Sequence, residues 1–276
     1  MEENRLMEDV AKALENVRAQ CPLIHNITNY VTVNDVANIV LAVGASPIMA
    51  DDIAEAGDIA SIAGALVLNI GTLNARTVES MVEAGKRANQ AGVPVVLDPV
   101  GAGASALRNE TTARLIKEVK LTVLRGNLSE ISFIAGEQSN TKGVDAGEAD
   151  ADNDAVAIAK KVAKQLGCVV GITGQVDVVS DGTRVAKIEN GVKLLGKVTG
   201  TGCMTSALVG SYCGANRDAF TATVAGIATM GMAGEISYKA QADRGTGSFH
   251  IGIIDAVSRM DGETVKAWAK LHEVER

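Results

Sequence analysis

Hydrophobic and polar positions in the first half of the chain alternate between short apolar runs and helical patterns. Apolar runs predict strands over 23–27, 46–50, 65–70, 93–97 and 121–124. Helical spacing of the apolar residues predicts helices over 32–43, 51–62, 75–91 and 107–119, and Asp51-Asp52 is suited to cap the second of them. Strands separated by helices are typical of a parallel sheet that is covered on both faces.

The second half continues this alternation and then becomes helical. It predicts a helix over 152–166, a strand over 168–172 and a hairpin of 176–180 with 183–188 around Asp181-Gly182, which adds an antiparallel edge. Helices are expected near 203–214, 218–239, 247–259 and 262–274, and the polar, acidic segment Gly136 to Ala151 is expected to be a surface loop. We therefore predict one α/β domain spanning 1–276, with a mostly parallel central sheet and helices on both faces.

Composition and charge narrow the possible partners. The 276 residues are 47% hydrophobic but only 3% aromatic, so aliphatic side chains must fill the core. The net charge is −7 and no basic run is present, which disfavours binding to nucleic acids or anionic membranes. Val198 to Asn216 carries no charge, but its glycines, serines and threonines favour a buried helix with a glycine-rich entrance over a membrane span.

The four cysteines form no CxxC pair, and the three histidines are scattered along the chain. This pattern disfavours a zinc site and a disulfide framework, and it fits reduced thiols in a cytosol. The first residues also lack the basic start and apolar run of a signal peptide, so we expect a cytoplasmic protein.

Candidate chemistry gathers where predicted strands end, which is where open parallel sheets bind their ligands. Asp98 and Glu130 are carboxylates suited to holding Mg²⁺ directly or through water, although helix capping and solvation are commoner roles for such residues. Arg125 and Asn127 can meet a phosphate, and Thr173 follows the next strand.

A glycine loop at 200–202 opens an uncharged helix. Its free N–H groups and the positive end of the helix dipole can hold a phosphate, but a tight packing turn has the same appearance. Cys203 follows at the helix N-terminus, which favours a thiolate that acts as a nucleophile or a weak base. The alternative is a small buried hydrophobic residue.

Two other phosphate-binding motifs are disfavoured. The chain has no GxxxxGK[ST] sequence, which excludes a P-loop. Gly101-Ala-Gly103 has the look of a dinucleotide fingerprint, but Asp98-Pro99 separates it from its strand.

Residues 25–34 are rich in amides and hydroxyls and include Asn26 and Thr28. Such groups fix a small neutral polar ligand by hydrogen bonds, and they also cap helices. Met49 ends a short strand and can line an apolar pocket or simply pack in the core.

A set of motifs occurs in order along almost the whole chain. The motifs are Asn26-Ile-Thr28-Asn29 with Val31-Thr32, Gly44-Ala-Ser-Pro-Ile-Met49, Asp98-Pro99-Val100-Gly101, Arg125-Gly126-Asn127 with Glu130, Lys142-Gly143-Val144-Asp145, Thr173-Gly174, Gly200-Thr-Gly202-Cys203 and Gly247-Ser248-Phe249. Taken in this order, they resemble the hydroxyethylthiazole kinase family. The ordered set is specific, whereas a single motif such as GTG is not.

The resemblance implies a three-layer ribokinase-like α/β fold. It also implies phosphorylation of the primary alcohol of 4-methyl-5-(2-hydroxyethyl)thiazole in thiamine biosynthesis, with ATP as co-substrate and Mg²⁺ as cofactor. Related enzymes are homotrimers with the thiazole site between subunits, so we expect a homotrimer here.

The resemblance also implies roles for single residues. The thiazole is expected against Met49, Gly200 and the segment of Asn26 and Thr28, and ATP against Arg125 and Thr173. Asn127 and Gly202 are further candidates for the nucleotide site, and Asp98 and Glu130 for Mg²⁺. Cys203 stands where ribokinase relatives keep an aspartate base.

Three alternatives stay open at this point. A related kinase that acts on hydroxymethylpyrimidine or a sugar is the nearest, and the segment 26–34 with Met49 favours the thiazole. A non-catalytic sensor of ATP or thiazole would not need Asp98, Glu130 and Cys203 together. A cysteine-dependent hydrolase lacks an evident partner base.

Overall fold

The computed structural model describes residues 2–137, 148–241 and 243–274. One nine-stranded sheet runs through the molecule in the order β2-β1-β3-β4-β5-β6-β7-β8-β9. The strands are β1 (Leu23–Ile27), β2 (Ser46–Ile48), β3 (Ala65–Asn69), β4 (Val95–Asp98), β5 (Val123–Asn127), β6 (Val169–Thr173), β7 (Asp177–Ser180), β8 (Val185–Ile188) and β9 (Leu271–Glu273). The first six pair in parallel and the last three antiparallel, which confirms the mostly parallel sheet and the predicted hairpin.

Helices cover both faces of the sheet. They are α1 (Glu2–Gln20), α2 (Val33–Val43), α3 (Ile53–Ile62), α4 (Ala75–Ala91), α5 (Ala106–Glu118), α6 (Leu128–Ile134), α7 (Glu148–Leu166), α8 (Thr201–Ala215), α9 (Ala219–Gln241), α10 (Thr246–Arg259) and α11 (Gly262–Trp268). Alternate side chains of each strand point to opposite faces. Val67 of β3 therefore joins the core under α1, α2 and α8 to α11, whereas Leu66 and Leu68 join the core under α3 to α7.

Two predictions about the ends of the chain were wrong or incomplete. Helix α1 was not predicted, although Leu6, Val10, Leu14 and Val17 recur at helical spacing and are buried. The helix expected over 262–274 ends at Trp268, and Leu271–Glu273 instead forms strand β9 beside β8. A three-residue strand is too short to leave a periodic signal, so only its partner strand reveals it.

Two further boundaries also differ. Strand β5 extends through Asn127, so Arg125 lies within the strand and not after it. The predicted loop Gly136 to Ala151 lies partly outside the described residues, and α7 begins at Glu148 within it.

The uncharged segment Val198 to Asn216 contains the largely buried helix α8, as predicted, and α8 packs on β1, β3 and β4. Its neighbour α9 is long and apolar enough to cross a membrane, but 78% of that stretch is buried inside the protein. Burial within the core accounts for the apolar character of α9.

Candidate active site

The carboxyl ends of β3, β4, β5 and β6 meet the N-terminus of α8. The parallel register pairs Asn69 with Asp98 and Asn127 with Thr173. Ser206, in the second turn of α8, donates a hydrogen bond to Asp98 Oδ2 at 2.8 Å. The helix therefore begins directly over the end of the sheet, where its free N–H groups and positive dipole face the site.

Asp98 is the most deeply buried of the charged residues Asp98, Arg125 and Glu130, with 1% of its surface exposed. Its Oδ2 also accepts a hydrogen bond from Asn69 Nδ2 at 2.9 Å and lies 3.5 Å from Arg125 Nη1. Oδ1 is buried and has no hydrogen-bond partner among the described residues. Burial raises the pKa of Asp98 to about 6, while the charge of Arg125 acts in the opposite direction.

Cys203 lies in the first turn of α8 and is half-buried. Its Sγ accepts hydrogen bonds from Asn29 Nδ2 at 3.2 Å and from Asn69 Nδ2 at 3.3 Å. Asn69 therefore joins Cys203 to Asp98. The sulfur is placed as a hydrogen-bond acceptor at the edge of the site.

Arg125 reaches from β5 to both neighbouring elements. Nη2 donates to Thr173 Oγ1 at 2.5 Å, and Nη1 donates to the Gly202 carbonyl oxygen at 3.2 Å. The side chain is nearly buried, and its Nε finds no acceptor in the described part of the chain. The structure thus brings the predicted nucleotide residues Arg125, Thr173 and Gly202 into contact.

Glu130 and Asn127 form a reciprocal cap at the start of α6. Asn127 Oδ1 accepts from the Glu130 backbone N–H at 2.9 Å, and Glu130 Oε2 accepts from the Asn127 backbone N–H at 2.8 Å. Glu130 Oε1 accepts from the Gly101 N–H at 2.8 Å. Glu130 therefore fixes the loop after β4 and carries its charge close enough to raise the pKa of Asp98.

The residues predicted for the thiazole are spread around the same end of the sheet. Gly200 caps α8 with a φ of 88°, and a Cβ there would come 2.9 Å from Thr32 Cγ2. Thr28 and Met49 are half-buried after β1 and β2. Asn26 is buried within β1, and its Nδ2 donates to the Ile24 carbonyl oxygen of its own strand at 3.0 Å. Asn29, three residues further along the same segment, donates to Cys203 Sγ where Asn26 does not.

The chemistry of the carboxylates can be compared with the needs of Mg²⁺. Among the described residues no cluster holds three or more histidine, cysteine, aspartate or glutamate side chains placed to bind a metal. Mg²⁺ is commonly held by one or two carboxylates, with water and substrate phosphates completing its shell. The unpartnered Oδ1 of Asp98 fits that role, whereas both oxygens of Glu130 already accept backbone N–H groups.

Three residues of this region were not predicted: Asn69, Ser206 and Asp177. Asn69 ends an otherwise apolar strand beside Asp98, and that polar ending was the available signal. Asp177 accepts the Gly174 N–H at 2.9 Å behind Thr173, and burial raises its pKa to about 7. A single aspartate that begins a short strand gives no comparable sequence signal.

Comparisons with known proteins show the family to which this sequence is similar. The family model described as the hydroxyethylthiazole kinase family matches residues 14–263. A hydroxyethylthiazole kinase of Ruminiclostridium cellulolyticum is 61% identical over 97% of this chain and 98% of its own length. One from Clostridium beijerinckii is 57% identical over 98% of this chain and 99% of its own.

Solved structures give the same result for the fold. The structure of a hydroxyethylthiazole kinase protein from Pyrococcus horikoshii OT3 has a TM-score of 0.88 at 39% identity. The match covers 96% of this chain and 99% of the Pyrococcus chain. An ADP complex of Bacillus subtilis pyridoxal kinase has a TM-score of 0.57 at 20% identity, with 74% of this chain and 88% of the other covered, which shows a shared fold only. The three-layer kinase fold is thereby confirmed.

Proposed function

The chain belongs to the hydroxyethylthiazole kinase family, and from this we propose that it transfers the terminal phosphoryl group of ATP to the hydroxyl of 4-methyl-5-(2-hydroxyethyl)thiazole. The observation that carries the proposal is the cluster of Asp98, Arg125 and Cys203 around the N-terminus of α8. An anion-binding helix end, a buried carboxylate and a guanidinium can supply the positioning and charge stabilisation on which phosphoryl transfer mainly depends, and the sulfur can accept the proton of the alcohol.

ATP is proposed to lie with its phosphates against Arg125, Thr173, Asn127 and Gly202. Arg125 supports this assignment because its buried Nε has no protein acceptor in the described chain and its Nη atoms touch Thr173 and Gly202. A guanidinium beside a helix N-terminus stabilises the negative charge that spreads over the phosphoryl oxygens in the transition state. The side-chain oxygen of Asn127 caps α6, so its amide N–H groups are the part that can meet a phosphate.

Asp98 and Glu130 are the proposed residues for Mg²⁺, Asp98 through Oδ1, which has no partner among the described residues, and Glu130 through water. When bound, the ion would neutralise charge on the phosphates of ATP. Asp98 contributes the negative charge that draws a cation to this end of the sheet. Glu130 holds the loop after β4 through Gly101.

Cys203 is proposed to receive the proton of the alcohol. As the alcohol oxygen bonds to the terminal phosphorus, the bond from that phosphorus to the bridging oxygen of ADP breaks and the hydroxyl proton passes to Sγ. The transition state of phosphoryl transfer is loose, so a strong base is not needed and a sulfur acceptor in the right place is sufficient. The thiazole itself is proposed to rest against Met49, Gly200, Asn26 and Thr28. Met49 supports this because it packs on the same core as Cys203.

We propose that residues 1–276 form one kinase domain that acts as a cytoplasmic homotrimer with sites between subunits. Tyr30 and Val31 lie beside Asn29 with 81% and 55% of their surfaces exposed, and such apolar side chains favour burial against a second copy. The four cysteines are unpaired, as expected in a reducing compartment. Light scattering coupled to size exclusion measures the mass: three chains support the trimer and a monomer contradicts it.

The proposed reaction is tested by ADP release with ATP and Mg²⁺. The acceptors to compare are hydroxyethylthiazole, hydroxymethylpyrimidine, ribose and none. Turnover with the thiazole alone supports the proposal. Turnover with hydroxymethylpyrimidine or ribose in its place identifies a different kinase, and ATP binding without turnover on any acceptor identifies a sensor.

A further inference from the structure

We propose that Asn29 and Asn69 are positioning residues, which hold the Cys203 sulfur as a hydrogen-bond acceptor by directing one amide N–H each at Sγ. Asp98 fixes the orientation of the Asn69 amide. The inference deepens the proposed function and rests on it, because it takes Cys203 as the group that accepts the alcohol proton.

The orientation of the Asn69 amide follows from its partners. Nδ2 faces Asp98 Oδ2 at 2.9 Å, and a carboxylate accepts hydrogen bonds. Oδ1 faces the Gly71 N–H at 2.9 Å, which can only donate. A flipped amide would place oxygen against the carboxylate and nitrogen against the N–H group. The second hydrogen of Nδ2 is then left for Cys203 Sγ, at 3.3 Å.

The orientation of the Asn29 amide is fixed in the same way. Its Oδ1 accepts from the Thr32 backbone N–H at 3.2 Å and from Thr32 Oγ1 at 3.1 Å. Its Nδ2 donates one hydrogen to Asn69 Oδ1 at 2.9 Å, which leaves the other for Sγ at 3.2 Å. The two amides therefore lock each other, and each has one hydrogen left for the sulfur.

Because both amides donate to Cys203 Sγ, the sulfur must act as the acceptor of two hydrogen bonds. A thiol proton cannot be given to either amide N–H, so any S–H bond must point elsewhere. A thiolate accepts both hydrogen bonds, and a hydrogen bond to a charged acceptor is roughly twice as strong as one between neutral groups. The pair thus favours the form of Cys203 that can take a proton from the alcohol.

Gly71 gives an independent sign that this pair is closely packed. A Cβ added there would lie 2.8 Å from Asn29 Nδ2 and 2.9 Å from Asn69 Oδ1, closer than side chains tolerate. The backbone of Gly71 has no positive φ that would itself require glycine. The absence of a side chain at 71 therefore leaves the room that the two amides occupy.

The test is the pH dependence of iodoacetamide alkylation, followed peptide by peptide in the full chain without substrates. Cys203 is the reporter and the exposed Cys21 is the internal reference. In Asn69→Ala we expect the alkylation profile of Cys203 to change, with its rate relative to Cys21 about tenfold lower at a given pH. The profile of Cys21 stays in place.

A second variant covers the case in which Asn69→Ala does not fold. Gly71→Ala keeps both amides but displaces them, and we expect its Cys203 profile to move in the same direction, with a fall of about tenfold in kcat and little change in KM for the thiazole. A folded Asn69→Ala or Gly71→Ala with an unmoved Cys203 profile overturns the inference. Because alkylation needs no turnover, a shifted profile in a protein that phosphorylates no thiazole would refute the proposed function and leave the orienting role intact.

Discussion

Asn69 and Asp98 end neighbouring parallel strands at the same level, and Asn69 Nδ2 donates to Asp98 Oδ2 at 2.9 Å. The pairing follows from the register of β3 and β4, which places the neutral amide of Asn69 beside the buried carboxylate of Asp98. A buried carboxylate costs free energy unless it is hydrogen-bonded, and here Ser206 and Asn69 satisfy one oxygen only. The other oxygen, Oδ1, has no partner in the described part of the chain, and it is the atom that we propose for Mg²⁺.

Replacing Asp98 separates its chemical role from its structural role. Asp98→Asn keeps a side-chain oxygen that can accept the bonds of Asn69 and Ser206 but removes the charge. We expect kcat to fall by about a hundredfold or more while the melting temperature changes little, because burial disfavours the charge of Asp98 but the contact of that charge with Arg125 is lost. Steady-state kinetics and thermal melting measure the two effects. The exposed Asp58→Asn is the control, and kinetics of Asp98→Asn within threefold of wild type would refute the role.

Arg125 depends on the shape of its guanidinium as well as on its charge. Arg125→Lys retains one cation but cannot reach Thr173 Oγ1 and the Gly202 carbonyl with separate nitrogens. We expect the KM for ATP to rise about tenfold or more, with a smaller effect on the KM for the thiazole. Initial rates at varied ATP measure it. Arg114→Lys, at a surface ion-pair cluster with Glu79 and Glu118, should leave both constants unchanged.

If Arg125→Lys raises the KM for the thiazole more than that for ATP, the assignment of Arg125 to the nucleotide is wrong. A comparable rise in the KM values for ATP and for the thiazole, together with a lower melting temperature, would indicate a damaged fold.

Asp177 links stability to pH. Burial raises its pKa from 3.8 to about 7, with the Gly174 N–H and the charge of Arg125 opposing the rise. The protonated carboxyl of Asp177 therefore contributes fully to the free energy of unfolding below the pKa of this residue in the unfolded chain. This contribution is lost as pH rises through about 7. Asp177→Asn, which can still accept from Gly174, should be more stable than wild type by an amount that grows by on the order of 3 kcal/mol between about pH 4.5 and about pH 8.

Urea unfolding of both proteins across this pH range measures the difference. The exposed Asp255→Asn should show a constant offset. A stability difference for Asp177→Asn that is the same at both ends of the range contradicts the raised pKa.

Much of the fold was predictable because pattern and caps agree. Helix α4 begins and ends where predicted, since Asn74 and Thr77 form a capping box and Gly92 takes the left-handed conformation that ends a helix. Strand β9 was not predictable, because three residues acquire strand geometry only through pairing with β8. Sequence periodicity shows which face a segment buries, and it does not show which distant strand will accept a short terminal piece.

The candidate site shows the same division. Asp98, Arg125 and Cys203 were predicted as separate candidates at element ends, and the register of the sheet then brings Asp98 and Arg125 within 3.5 Å. Asn69 was missed because it was included in a run interpreted as apolar. Its role depends on partners 29 and 134 residues away in the chain, Asp98 and Cys203, which no local pattern reveals.

Gly226 allows α8 and α9 to pack closely, and it does so because it has no side chain, since its φ is not positive. A Cβ at Gly226 would lie 2.7 Å from the Val209 backbone, which cannot move aside. We expect Gly226→Ala to lower the free energy of unfolding by about 1–3 kcal/mol through overpacking. Gly247→Ala is the matched control, because nothing lies within 4 Å of its added Cβ, and it should be neutral or stabilising by about 0.5–1 kcal/mol. Equal effects in the two variants would refute the packing argument.

Cys203→Asp tests whether the position needs sulfur or only an acceptor. A carboxylate in the first turn of α8 can accept the same N–H groups of Asn29 and Asn69 and faces the positive end of the helix dipole. We therefore expect Cys203→Asp to keep activity within about tenfold of wild type and to resist iodoacetamide, while Cys203→Ala loses about a hundredfold because no acceptor remains. Initial rates before and after alkylation measure both effects, with Cys21→Ala as the control that stays sensitive. A folded Cys203→Asp without activity, beside an active Cys203→Ala, would mean that the residue at 203 only packs against the substrate, and the proton of the alcohol would have to leave by another route.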